Sequence, residues 1–186
     1  MDVTQALEDL TAEHAIRAKL AQYCQGVDRK QYELVSDCYH DDATDSHGPY
    51  DGDVEGFIDF LKDRHAHIGS SMHVIGTTSV VLSEDRRRAR SESYCITYQH
   101  LLPGGDDPFA GNGDAGAGSW ITIACRYVDI FEHRAGAGWK IWRRTVVHEW
   151  TKLEDSADYV PLNPGWPQFR RDTTDLVFSS LDELSA

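Results

Sequence analysis

Apolar residues set the first part of the chain to a helical period. Leu7, Leu10, Ile16, Leu20, Cys24 and Val27 recur mostly at three- and four-residue steps, placing them on one face of a helix over roughly residues 4–26. Asp2 or Thr4 is suited to cap its start and Gly26 to mark its end, with a polar turn at Glu13 and His14. A second short helix, over about residues 30–39, groups Tyr32, Val35 and Cys38. Residues 41–52 read as a short strand and turn. Val54, Phe57, Ile58 and Leu61 then make the apolar face of a third helix ending near His65.

Beyond Ser70 the period falls to two. Segments 71–82, 87–102, 119–132 and 139–150 read as strands, the last two long and rich in β-branched and aromatic residues. If Arg88, Arg90 and Glu92 face outward, Ala89, Ser91, Cys95 and Thr97 face inward. By the same parity Trp142, Val146 and His148 share one face of the last strand, opposite Arg143, Thr145 and Val147. Helices followed by a long antiparallel meander predict an α+β fold, with the sheet curled around the helices. The Gly- and Asp-rich stretch 103–118 reads as a flexible excursion, with Phe109 as its one plausible plug. From Thr151 a proline-punctuated tail, with a short helix near residues 175–184, reads as an arm laid over the domain or a partner subunit. The expected organisation is therefore one α+β domain over 1–150. An arm over 151–186 belongs to it or to a dimer interface.

Composition narrows the function. A net charge of −13 over 186 residues leaves no basic face for phosphates and argues against nucleic acid. No apolar run reaches the ~20 residues of a membrane span. The first residues lack the basic and apolar regions of a secretory signal, so a cytoplasmic protein is expected. Cys24, Cys38, Cys95 and Cys125 form no CxxC pair and read as small buried hydrophobes.

The informative chemistry is Asp28 at the close of the first helix and His73 at the opening of the first long strand. A carboxylate that fixes an imidazole tautomer makes it a better proton acceptor, without metal, cofactor or phosphate cradle. The structural alternatives are a core histidine bonded to backbone and an aspartate that caps the next helix. His65 and His67 cannot share an ion on a helix and are expected in a solvated loop, and His40-Asp41-Asp42 lacks a third ligand, so no metal is expected. Arg126, Arg143 and Arg144 are expected on the outer sheet face or its rim.

The segments Tyr23-x-x-x-x-Asp28, Ser71-Met72-His73, Arg126-Tyr127-x-Asp129-x-Phe131 and Gly138-Trp139-Lys140-Ile141-Trp142-Arg143-Arg144 resemble the SnoaL-like branch of the nuclear transport factor 2 superfamily. The resemblance covers roughly residues 5–150. It implies a conical α+β barrel with a deep pocket, and it is strongest to the branch of scytalone, halide-eliminating and bile-acid lyases. In that branch a histidine takes a proton and a buried aspartate orients it, which would fall here on His73 and Asp28. Tyr23 would assist at the leaving or carbonyl oxygen. His148 stands where the bile-acid enzymes carry an arginine, and Thr97 where they carry an acid. Tyr50, Thr97 and Trp142 complete the expected substrate-binding set.

The expected function is a cofactor-independent, dehydratase-type lyase for a hydrophobic cyclic, polyketide- or steroid-like small molecule. An isomerase or aldol cyclase would use the same pocket. A ligand-binding module or oxygenase β-type subunit would leave Asp28 and His73 structural. The broad outer face of the sheet points to a homodimer or homotrimer.

Overall fold

The computed structural model describes residues 2–104, 106–110 and 118–181. Helices α1 (Val3–Asp28), α2 (Tyr32–Ser36) and α3 (Val54–His65) precede most of the sheet, and a short α4 (Leu176–Ser179) lies in the tail. The strands are β1 (Tyr39–Ser46), β2 (Asp51–Asp53), β3 (Ile68–Leu82), β4 (Arg88–Leu101), β5 (Ser119–Arg134) and β6 (Gly138–Asp155). They form one curved, open sheet in the order β2-β1-β6-β5-β4-β3, antiparallel except where β1 runs beside β6. This is the α+β cone expected from the change of period, although its sheet does not close into a barrel.

Helix α1 is capped by Asp2, whose Oδ1 accepts from the Thr4 N–H at 3.4 Å. Its buried face is Ala12, Ile16, Leu20, Tyr23, Cys24 and Val27. Leu7 and Leu10 are exposed instead, because the first turns overshoot the packed layer. Leu7 there flanks a surface groove beside Leu82 and Trp139. Gly26 does not end the helix. A Cβ at that position would lie 2.8 Å from Val35 Cγ2, so the glycine permits α2 to pack against α1. No basic residue occupies the last turn of α1. The tail supplies one: Arg171 donates to the carbonyls of Asp28 (2.9 Å), Val27 (3.2 Å) and Ile68 (2.7 Å), complementing the negative end of the helix.

Strand β4 alternates as read, with Ala89, Ser91, Cys95 and Thr97 inward. Strand β6 does not keep one parity. Ile130 pairs with Arg143 and Phe131 with Ile141, so Trp142 is skipped in a bulge. Trp139 and Ile141 therefore face in before the bulge, and Arg144 and Val146 after it. β6 also continues to Asp155, so Thr151–Asp155 belongs to the sheet and not to the arm. The core lies between the concave face and α1 and α3, and all four cysteines are free and buried in it.

Candidate active site

The end of α1 and the start of β3 bring Asp28 and His73 into contact. His73 Nδ1 lies 2.6 Å from Asp28 Oδ1, and the His73 backbone N–H donates to Oδ2 at 2.9 Å. Ser71 Oγ donates to Oδ1 at 2.7 Å. Both carboxylate oxygens are thus committed, which holds Nδ1–H toward Asp28 and turns Nε2 into the proton-accepting nitrogen. Burial opposes the charge on Asp28. The facing imidazole and the hydrogen bonds from His73 and Ser71 outweigh it, holding the carboxyl near 2, below its ordinary 3.8. Burial also opposes an imidazolium at His73, yet the Asp28 charge and hydrogen bond prevail and raise it above 6.5.

The support continues outward. Gln99 Nε2 donates to Ser71 Oγ at 3.2 Å, and Arg64 Nη2 donates to Gln99 Oε1 at 2.7 Å. Arg64 pairs with Asp107 at 2.9 Å, both side chains almost fully buried. A polar chain therefore runs from the strap at 106–110 to the carboxylate that holds His73. On the strap, Phe109 lies under the Arg64 guanidinium at 4.7 Å and meets the His148 ring at a tilt, centroids 5.5 Å apart. The expectation of flexibility over 103–118 falls partly on residues 105 and 111–117, which lie outside the described residues.

His73, Tyr23, Thr97 and His148 line one cavity with His47, Arg64, His65, Phe109 and Tyr127. Its free space is about 30 Å³, room for a water or two. Thr97 stands opposite His73 across the β3–β4 ladder. Tyr23 is buried, and burial raises its phenol well above 10, so the hydroxyl stays protonated. Partial burial, and then the nearby His47, hold His148 below 6.5.

Tyr50 and Trp142, expected in the substrate set, are not among the cavity-lining residues. Tyr50 donates to the Asp53 carbonyl at 2.7 Å and stacks on Phe60, backing the wall without reaching the interior. Trp142 is turned out by the β6 bulge and lies beneath Arg88 and Arg143, whose guanidinium carbons are 4.6 and 4.1 Å from its ring centre. The same bulge corrects Arg144. Expected outside, it is buried with both Nε and Nη2 at 2.8 Å from Asp129, its guanidinium between the rings of Tyr23 and Tyr127. His65, expected in a solvated loop, closes α3 inside the cavity wall. Its Nδ1 bonds Tyr32 Oη at 3.2 Å, and burial holds it near 2, hence neutral. Among the described residues no group of three or more metal-binding side chains assembles.

Sequence reading missed Arg64, Gln99 and the pair Asp45–His47. Arg64 and Gln99 carried no local signal. Asp45 and His47 did, since residues two apart leaving a strand share a face.

The sequence profile of the SnoaL-like domain matches residues 8–145. No curated protein matches the chain. Among solved structures, a type 2 hexachlorocyclohexane dehydrochlorinase, LinA, superposes with a TM-score of 0.69 at 18% identity, covering 87% of this chain and 99% of that one. A scytalone dehydratase-like protein from Novosphingobium aromaticivorans gives 0.65 at 14% identity, covering 88% and 99%. ActVI-ORFA from Streptomyces coelicolor gives 0.56 at 18% identity, covering 75% and 96%. At these identities the structural likeness establishes a shared fold.

Proposed function

The chain belongs to the SnoaL-like family, and on that premise we propose that it is a lyase whose own side chains remove a proton and expel water from a small cyclic substrate. The observation that carries this reading is the 2.6 Å contact between His73 Nδ1 and Asp28 Oδ1, which leaves Nε2 to accept a proton on a ring that lines the cavity. His73 is the general base and Asp28 orients it and stabilises the imidazolium that forms. Tyr23, kept protonated, and His148 at the rim are placed to donate to a developing enolate oxygen; such donors contribute ~3 kcal/mol. Thr97 lines the floor beside the base.

The walls contributed by Val27, Leu61, Phe60, Ile123 and Val146 suit an apolar ring. A ring does not fit in about 30 Å³, so the cavity has to open for substrate to reach His73, and Phe109 of the strap is a lining side chain able to move. The neighbours named for dehydrochlorination and for scytalone dehydration support elimination as the reaction class.

The test is a panel of hydroxylated cyclic ketones incubated with the full chain and followed by mass. Loss of one water that disappears in His73→Ala and Asp28→Asn is the expected result. An unchanged mass with a moved double bond would instead identify an isomerase, and full turnover in either variant would end the assignment of the pair.

A further inference from the structure

The cavity holds a second aspartate–histidine pair that the reading above leaves unused. His47 follows β1 in a turn closed by its own N–H donating to the Tyr50 carbonyl at 2.7 Å. Its Nδ1 lies 3.0 Å from Asp45 Oδ1, and its ring lines the same cavity as His73. Gly48, at φ +76°, lets the chain turn there; a Cβ on it would lie 3.0 Å from His148 Cε1. The sequence Asp45-Ser46-His47-Gly48 thus packs two imidazoles together at one wall.

The surroundings hold His47 against a buried carboxylate. Asp45 is fully buried, and its Oδ2 accepts from the Tyr39 hydroxyl at 2.6 Å. Arg144 reaches that hydroxyl at 3.3 Å but is committed to Asp129, also fully buried. Arg144 and Asp129 thus pair with each other, and Asp45 meets Tyr39 and His47. An unpaired buried charge is costly, and His47, 3.0 Å from Asp45, is the basic side chain placed to balance it. The groups that face it are Asp45 from its own strand, Tyr127 and Asp129 from β5, His148 from β6, Phe57 from α3 and Phe109 from the strap. With Nδ1 turned to Asp45, Nε2 is the nitrogen left for a substrate in the cavity.

We propose that His47 is the general acid of the elimination and Asp45 its positioning residue, an assignment that rests on His73 acting as the base. His73 Nε2 takes a proton from the carbon beside the ring carbonyl, and that C–H pair becomes the new double bond. The C–O bond on the next carbon breaks with its pair on oxygen. That oxygen takes the Nε2 proton of His47 and leaves as water. His73 ends as imidazolium and His47 neutral, and exchange with solvent restores both. Two histidines with aspartate partners therefore act in opposite directions on one substrate.

The experiment compares two probes on the full chain. A β-hydroxycyclohexanone loses water and needs an acid at the departing hydroxyl. Nitrobenzisoxazole opens when a base removes its ring proton, and its phenolate leaves without protonation. The readout is the ratio of the two rates. His47→Gln lowers that ratio by ~10²–10⁴-fold, the usual contribution of a positioned acid, and Asp45→Asn lowers it in the same direction. His47→Asn repeats the measurement should Asp45→Asn not fold. A ratio unchanged in His47→Gln and His47→Asn overturns the proposal. Ring opening that survives His73→Ala overturns the base assignment instead and leaves the His47 comparison standing.

Discussion

Asp28–His73 and Asp45–His47 are the same two side chains in different settings. The first joins the end of a helix to a strand across the fold, at 2.6 Å, with three donors on the carboxylate. The second is local, two residues apart, at 3.0 Å, its fully buried carboxylate bonded also to the Tyr39 hydroxyl. Asp28 raises His73 above 6.5. The carboxylates differ in company: Asp28 accepts from Ser71 and the His73 backbone besides the ring, whereas Asp45 accepts from a phenol besides meeting His47. What else each carboxylate holds is what sets the two histidines apart.

The sharpest way to break this comparison is to remove one histidine. His73→Ala is expected to lower elimination by ~10⁴-fold, the upper end for a positioned base, as read by steady-state rates on the ketone panel. Asp28→Asn should cost less and move the pH profile. Asp28 raises His73, so the base limb of the wild type lies above 6.5. Without the carboxylate, burial alone acts on the ring, and the limb moves to lower pH. A limb that stays in place would mean another group governs it.

Next in size is Arg144→Leu, which removes the guanidinium beside Asp129 and Tyr39 and leaves the hydrogen bonds of the first pair intact. It strands Asp129 in the core, and breaking a buried ion pair in this way costs ~3–5 kcal/mol. Urea denaturation at neutral pH measures it. Asp107→Asn tests the strap, leaving the buried Arg64 without its anion at a cost of about 2 kcal/mol; retained stability would remove Asp107 from the supporting chain.

The pH dependence of stability separates the pairs further. Asp28 is depressed, so its contribution is present above 3.8 and lost as pH falls through about 2. His73 is raised, so its contribution is present below 6.5 and lost as pH rises through its folded value. Both shifts describe one interaction, worth on the order of 2 kcal/mol between those limits. Asp28→Asn should remove the two slopes that bound that window, the fall in stability below 3.8 and the fall above 6.5, and a wild-type curve flat across both would contradict the pairing.

Much of this was legible in residue order. Period changed from 3.6 to two at Ser70, and that switch separated the three helices from the four long strands. Asp28 and His73 stood out because each sat at an element boundary within a recognisable spacing. Trp142 and Arg144 were misplaced for one reason: strand parity assumes a regular ladder, and the bulge opposite Ile130 and Phe131 reverses it. The polar chain through Gln99 and Arg64 was invisible, since its links join β3, β4, α3 and the strap and no two are close in sequence. His47 was visible two residues from Asp45, but only the burial of Asp45 and the place of His47 on the cavity wall give that spacing a meaning.

The smallest expected effect concerns Arg171 of the tail, which touches the helix end that carries the first pair. Arg171 donates to the Val27 and Asp28 carbonyls that end α1, and it completes a helix with no cation of its own in the last turn. A cation there contributes about 1 kcal/mol in a partly buried setting. Arg171→Met keeps much of the side-chain bulk and removes the donors, so the thermal midpoint should fall by a few degrees. The last turn of α1 carries Asp28, and its loosening should slow His73-dependent turnover more than His47-dependent proton delivery. The ratio of water elimination to nitrobenzisoxazole opening would then stay constant while both rates fall. A drop in that ratio would show that the arm acts on the acid side, and would undo the separation between the two pairs.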